Sequence, residues 1–292
     1  MPEPVQLSPA LASFKPTIID SHFAGPLSTS IEDYPDGLVF VLDKPYRWTS
    51  SDVVRKVKFA LQHHFHKKNI KVGHAGTLDP LATGVLLICC GRSTKLSETY
   101  QAHGKEYVAE FQFGATTPTF DLERPIDERF PYDNVTRSAL ESAIPSFIGE
   151  QDQIPPAFSA KMVDGVRAYR LARNDRTAGL KPARITICDI ELLSFGTPAE
   201  RAESHSTAEK YGDNAMRKFN FQHPESADPS LPTASLRIRC SKGTYIRALA
   251  RDFGTALGTG AYMSALTRSA SGDFRVEDSL PLNSAMELLG KS

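Results

Sequence analysis

Residues 73–84, GHAGTLDPLATG, run directly into VLLICC at Val85 to Cys90, and this junction restricts the fold more than any other part of the chain. Six consecutive apolar residues without polar alternation predict a strand buried on both faces. In front of that strand, Gly73, Gly76, Gly84 and Pro80 impose a tight, irregular backbone. Such a loop can hold one carboxylate, Asp79, at a fixed point above a cleft. The same residues also suit a helix start, with Asp79 as N-cap and Pro80 at the first helical position, although Gly84 ends any such helix within a turn.

The surrounding segments alternate between two periods. Leu38 to Leu42 is a short apolar run stopped by Pro45, which fits a strand; Ser50 or Ser51 can then cap a helix buried through Val53, Val54, Val57, Ala60 and Leu61. Tyr107, Ala109, Phe111 and Phe113 alternate with Val108, Glu110 and Gln112, predicting a half-buried strand with Tyr107 on its apolar side. Arg184 to Phe195 and Ser235 to Cys240 read as strands, separated by the polar, aperiodic stretch Thr197 to Thr233, a surface insertion. Ile246, Leu249, Ala250, Phe253, Ala256 and Leu257 then recur at helical spacing, with Thr244 as N-cap and Gly258 as C-cap. That places Tyr245 and Arg247 in the first turn, at a strand-to-helix junction. Residues 1–36 are Pro- and Ser-rich without a period and read as an extension that wraps the domain or stays mobile, leaving 37–292 as one domain. Antiparallel strands mixed with helices make the class α+β.

Charge becomes informative only locally, because 34 Lys and Arg balance 34 Asp and Glu over 292 residues. Between Lys44 and Lys71 lie eight basic residues, Lys67 and Lys68 among them, against the single acid Asp52. A second run from Lys161 to Arg184 contains Arg170 and Arg173 and only two acids, Asp164 and Asp175. Either run alone suits a solvated face; the two together favour a polyanionic partner. Cys89, Cys90, Cys188 and Cys240 show no C-x-x-C spacing and read as buried, reduced thiols. GRSTK at Gly91 to Lys95 lacks the second glycine of a phosphate-binding P-loop. The first residues carry neither a basic nor an apolar targeting region, and no apolar run is long enough to span a bilayer, so a cytoplasmic protein with no membrane association is expected.

The run KVGHAGTLDPLATGVL resembles the signature loop of the TruB family of pseudouridine synthases, and the resemblance extends over most of Gly37 to Leu282. GLVFVLDKP, KEYVAEFQFGATTPTFD, IPPAFSAKMVDGVRAYRLAR and CSKGTYIRALARDFGTALGTGAYMSALTR are similar to further blocks of that family, in the same order. The resemblance implies a pseudouridine synthase fold, a mixed, mainly antiparallel sheet flanked by helices with a central active-site cleft. It implies an enzyme that isomerises the uridine at position 55, in the T-loop of tRNA, by flipping the base and breaking and re-forming its glycosidic bond. Asp79 falls on the catalytic aspartate, Tyr107 on the tyrosine that stacks on the target base, Arg247 on the arginine that pairs with the aspartate, and Tyr245 on the tyrosine two residues before it. Leu266 matches an apolar residue bordering the uracil pocket, His74 a histidine that fills the space left by the flipped nucleotide, and Lys44 a lysine near the active site.

The residue types suit that chemistry. Isomerisation needs a carboxylate but no redox agent, so no cofactor and no metal is expected; the HHFH run at His63 to His66 reads as a polar, RNA-facing loop. A nearby guanidinium favours the ionised carboxylate. An aromatic face offsets the lost base stacking by about 1–3 kcal/mol, and a phenol such as Tyr245 can move a proton. Two departures stand out. Phe158 occupies a position where relatives often have tyrosine, and because the chain ends ten residues past Leu282, the C-terminal PUA domain that many relatives carry is not expected here. The expected enzyme is therefore a stand-alone monomer that reads the T-arm stem-loop without a guide RNA and grips it through the basic runs.

Overall fold

The computed structural model describes residues 13–159, 162–163, 166–167, 179–198 and 227–290; Arg170, Arg173 and most of the Thr197 to Thr233 stretch lie outside them. The first strands are β1 (Thr17–Ile19), β2 (Leu38–Lys44), β3 (Val72–His74), β4 (Ala82–Cys90), β5 (Lys105–Phe113), β6 (Ala115–Thr116), β7 (Glu128–Arg129) and β8 (Gly149–Gln153). They are followed by β9 (Met162–Val163), β10 (Val166–Arg167), β11 (Ala183–Gly196), β12 (Thr233–Cys240), β13 (Ala261–Ser271), β14 (Phe274–Arg275) and β15 (Leu280–Pro281). The helices are α1 (Ser50–His64), α2 (Ser97–Ala102), α3 (Arg137–Ala143), α4 (Ile246–Ala256) and α5 (Leu282–Leu288). The chain forms two units, one of Met1–Glu106 with Thr267–Ser292 and one of Tyr107–Leu266, whose boundaries fall inside β5 and β13.

In the first unit the two continuous apolar runs become neighbours. β2 and β4 pair antiparallel, with Leu38 opposite Cys90 and Lys44 opposite Gly84. Both are buried almost throughout, as two-sided burial of VLLICC requires. β1 and β15 add to β2 in parallel, and β3 pairs antiparallel with the end of β4. Val39, Val41, Val85, Leu87 and Cys89 form one core cluster, with Tyr100, Phe274 and Val276 packed against it. Part of the Pro- and Ser-rich leader is built into this unit, since β1 buries Ile19 completely and Leu27 is buried as well.

Helix α1 buries Val53, Val57, Ala60 and Leu61, but its cap is Thr49 rather than Ser50 or Ser51. The Thr49 hydroxyl accepts from the Asp52 N–H at 3.0 Å, and the Asp52 carboxylate accepts from the Thr49 N–H at 3.0 Å, a reciprocal box that satisfies two helix-end donors. Ser50 is thereby released for a bond described below.

In the second unit the strand order is β13-β5-β12-β11-β8, with β11 antiparallel to both β12 and β8. The expectation of a half-buried β5 is not met: Tyr107 through Phe113 are all buried, with Glu110 at 6% and Gln112 at 2% exposure. The polar side of the strand meets protein instead of water. Ser264 Oγ donates to Glu110 Oε1 at 2.6 Å, Gln112 Nε2 donates to the Asp228 carbonyl at 2.8 Å, and the Tyr262 hydroxyl donates to Gln112 Oε1. On β12, Arg237 and Arg239 face Glu191 and Asp189 across the β11 ladder. Helix α4 buries Ile246, Leu249, Ala250 and Phe253, whose ring stacks on Phe147 with centroids 4.1 Å apart, and Gly258 follows it at φ +69° as expected of a C-cap glycine. No described helix is long and apolar enough to cross a membrane.

Thr49→Ala should lower the unfolding free energy by about 1 kcal/mol, the usual value of such a cap. In urea titrations this appears as a lower midpoint at unchanged slope.

Candidate active site

Asp79 lies partly exposed in the segment between β3 and β4. The helix start that Asp79-Pro80 would also suit does not form. The Ala82 N–H donates to the Asp79 carbonyl at 3.1 Å, closing a turn that enters β4 directly. Gly76 and Gly84 adopt φ of +107° and +96°, where only glycine is unstrained, whereas Gly73 lies in β3 with open space around it. Two of the loop's three glycines thus carry the backbone constraint. A Cβ on Gly84 would stand 2.3 Å from the Arg268 carbonyl oxygen, so glycine is what lets β4 and β13 approach here.

Three buried polar groups hold this loop. Ser50 Oγ donates to the Leu78 carbonyl at 3.1 Å and accepts from the Leu78 N–H at 2.9 Å. Lys44, fully buried, donates from Nζ to the carbonyls of Pro45 at 2.8 Å, Trp48 at 2.6 Å and Pro80 at 3.2 Å. Arg268, 1% exposed, donates from Nε to the Val85 carbonyl at 2.7 Å and from Nη2 to the Gly76 carbonyl at 3.1 Å, with Nη1 3.5 Å from the Thr77 carbonyl. Lys44 therefore does not belong to the exposed basic run in which its sequence neighbours place it. Ser50 was read only as a possible helix cap and Arg268 had no assigned role; for Arg268 the available signal was a lone arginine in AYMSALTRSAS, which holds no other charge.

The electrostatics follow from this burial. Loss of water pushes Lys44 down to about 8, against the upward pull of Asp79 and Asp43, and the charge of Arg268 lowers it further. Burial also raises the Asp43 carboxyl, which accepts from the Gly84 N–H at 2.9 Å. His74, at the end of β3, is pushed down by burial and then by Arg268, which keeps it neutral at pH 7, and its Nδ1 is buried without a hydrogen-bond partner.

The second unit places the remaining candidates. Tyr107 is buried on β5 and Leu266 on β13. Arg247 lies in the first turn of α4, as the spacing predicts, but Tyr245 is the N-cap residue rather than a first-turn residue, and Thr244 does not cap. The Thr244 hydroxyl donates to the Ser241 carbonyl at 3.0 Å. The Gln153 amide grips Tyr245 instead, accepting from its N–H at 2.8 Å and donating to its carbonyl at 3.1 Å. Arg247 is 5% exposed; its Nη1 donates to the Thr119 carbonyl at 3.1 Å, its Nη2 to the Phe158 carbonyl at 3.0 Å, and its Nε lies 3.5 Å from Asp121 Oδ2. Asp121 ends the TTPTFD segment and was not singled out from sequence. Phe158 serves Arg247 through its main chain, so that contact is indifferent to the missing hydroxyl.

The surface candidates divide. Lys67 forms an ion pair with Glu32, while Lys68 is exposed. A cavity of about 240 Å³ in the first unit, lined in part by Tyr34, Leu61, Phe65 and Ile70, includes none of the candidate residues.

Residues 62–212 match the family described as TruB family pseudouridylate synthase (N terminal domain). A tRNA pseudouridine synthase B of Phocaeicola vulgatus is 45% identical over 257 residues, 88% of this chain and 95% of that one. The chain belongs to the TruB family. A tRNA pseudouridine synthase B of Thermus thermophilus is 39% identical over 251 residues, 84% of this chain and 76% of its own. Among solved structures, a Cbf5-Nop10-Gar1 complex matches with a TM-score of 0.57 at 24% identity, over 92% of this chain and 58% of that one. The archaeal box H/ACA sRNP Nop10-Cbf5 complex matches with a TM-score of 0.52 at 24% identity, over 86% and 53%. The chain spans little more than half of those solved chains, and the likeness to them is one of fold. The TruB chain thus has the α+β pseudouridine synthase fold that its motifs imply.

For Lys44 the pH dependence has a defined sign. Its folded pKa of about 8 lies below the ordinary 10.5, so between those values the unfolded state binds more protons and stability rises with pH. The difference in unfolding free energy between wild type and Lys44→Met should be flat below about pH 8 and move in favour of wild type towards pH 10, measured by urea titration at each pH.

Proposed function

We propose that this chain is a tRNA pseudouridine synthase that isomerises uridine 55 in the T-loop, with Asp79 as its catalytic carboxylate. The observation that carries the reading is the loop itself: one partly exposed carboxylate on a backbone pinned on both sides of it by Ser50, Lys44 and Arg268, in a chain of the TruB family. The relatives named tRNA pseudouridine synthase B support the same activity.

The reaction breaks the N1–C1′ bond of the uridine, turns the uracil, and joins C5 to C1′. The C5 proton then leaves and N1 gains one, so the product is an isomer and no oxidant is consumed. Asp79 supplies the negative charge and nucleophile for the first step. The Tyr107 ring gives the extruded base a stacking face. Tyr245 exchanges the proton, with its backbone held by Gln153. Arg247 supplies positive charge, Leu266 the apolar edge of the uracil pocket, and His74, held neutral, occupies the space that the flipped nucleotide vacates. Lys68, together with Arg170 and Arg173 outside the described residues, meets phosphates; Lys67 does so once its pair with Glu32 opens. One copy of the chain acts in the cytoplasm on the T-arm stem-loop, without a guide RNA.

Asp79→Asn should abolish pseudouridine formation in a single-turnover assay on unmodified tRNA while leaving the Kd for tRNA within about threefold, because the amide keeps the shape and loses the charge. Mapping the product locates the modified uridine, and substantial residual turnover would refute the assignment. Charge reversal at Lys68 and Arg170 should flatten the dependence of tRNA affinity on salt by about 0.7–0.9 log units per phosphate contact removed. An unchanged slope would show that these cations face away from the RNA.

A further inference from the structure

We infer that Arg268 is a positioning residue for catalysis, clipping the Asp79 loop to the sheet; the inference rests on the catalytic role proposed for Asp79. Arg268 is the largest fully buried side chain among the described residues. Its guanidinium spans two parts of the chain. Nε is bonded to β4 at Val85, and the two terminal nitrogens face the carbonyls of Gly76 and Thr77, three and two residues before Asp79.

The neighbouring glycines are shaped to this contact. Gly84 lacks the Cβ that would collide with the Arg268 backbone, and Gly76 takes the left-handed conformation beside Nη1, where even an added Cβ would be 3.5 Å away. The loop's two constrained glycines thus both abut Arg268.

The charge has a second consequence. Among the described residues no carboxylate lies within ion-pair distance of Arg268, so a buried cation is satisfied by carbonyl dipoles alone. Its field lowers both Lys44 and His74, which flank the loop. Arg268 therefore sets where Asp79 stands. A methionine would fill the space without the bonds or the charge; a lysine would keep the charge without the planar fork.

The test uses full-length Arg268→Lys and Arg268→Met with unmodified tRNA. Single-turnover rate, tRNA affinity and amide hydrogen exchange are measured for each. Because a misplacement of about 1 Å can cost about 100-fold in rate, Arg268→Met should lose at least that and Arg268→Lys at least tenfold, with the Kd for tRNA changed less than threefold. Exchange at Gly76 to Leu78 should accelerate at least tenfold while β2 stays protected. The inference is overturned if Arg268→Lys keeps more than a tenth of the wild-type rate, if exchange in β2 rises equally, or if neither variant folds, since Arg268 would then be structural only. Asp79→Asn run alongside separates the two claims. Turnover by that variant overturns the proposed function, whereas its inactivity beside a fast Arg268→Lys overturns the role of Arg268 alone.

Discussion

Backbone carbonyls that have no strand partner must find another donor, and at Gly76, Leu78 and Pro80 a buried cation or hydroxyl supplies one. Lys44, Arg268 and Ser50 together bond to the carbonyls of Pro45, Trp48, Pro80, Gly76, Val85 and Leu78. Regular ladders cannot do this for an irregular loop, and leaving such groups unpaired away from water costs about 1–3 kcal/mol each. Withdrawing an ammonium and a guanidinium from water is itself expensive, by several kcal/mol per ion. The apolar pairing of β2 with β4 is what makes that expense tolerable, because it buries nearly every side chain on both strands.

The second unit follows the same logic with different groups. Arg247 takes up the carbonyls of Thr119 and Phe158 and lies against Asp121, while Gln153 closes on both backbone groups of Tyr245. Helix α4 begins without a side-chain cap, so its first turn depends on this tertiary support. In both units a side chain with an expected chemical role is carried on backbone whose polar groups are answered from elsewhere in the sequence. Such placement resists local fluctuation better than a surface loop does, because several distant bonds must break together before the side chain moves.

Where sequence reasoning misread a residue, the cause was the same each time: it saw the type of group but not its partner. Alternation in β5 separated Tyr107 and Phe111 from Glu110 and Gln112 correctly, yet it could not tell a polar face turned to water from one turned to Ser264, Tyr262 and Asp228. Lys44 looked like one more cation in a basic run, because burial of a lysine is decided by carbonyls up to 36 residues away. At α1, three hydroxyl residues in a row, Thr49, Ser50 and Ser51, made the cap ambiguous by a residue or two. The bond between Ser50 and Leu78 resolves it in three dimensions.

The sequence by itself determined β2, β4, β11, β12, α1 and α4, the loop of Asp79 and the family, because periodicity and ordered motifs are local properties of the chain; β13, which carries Leu266 and Arg268, and the choice of Gly76 and Gly84 among the loop's three glycines came from the structure. Tertiary structure alone decided which polar groups are buried and what they hold: Arg268 beneath Gly76, Lys44 beneath Pro80, Asp121 beside Arg247. Those contacts join residues from 36 to 192 positions apart in the chain. No local preference selects them. They exist because a buried hydrogen-bonding group must be paired, and the fold determines which group is within reach.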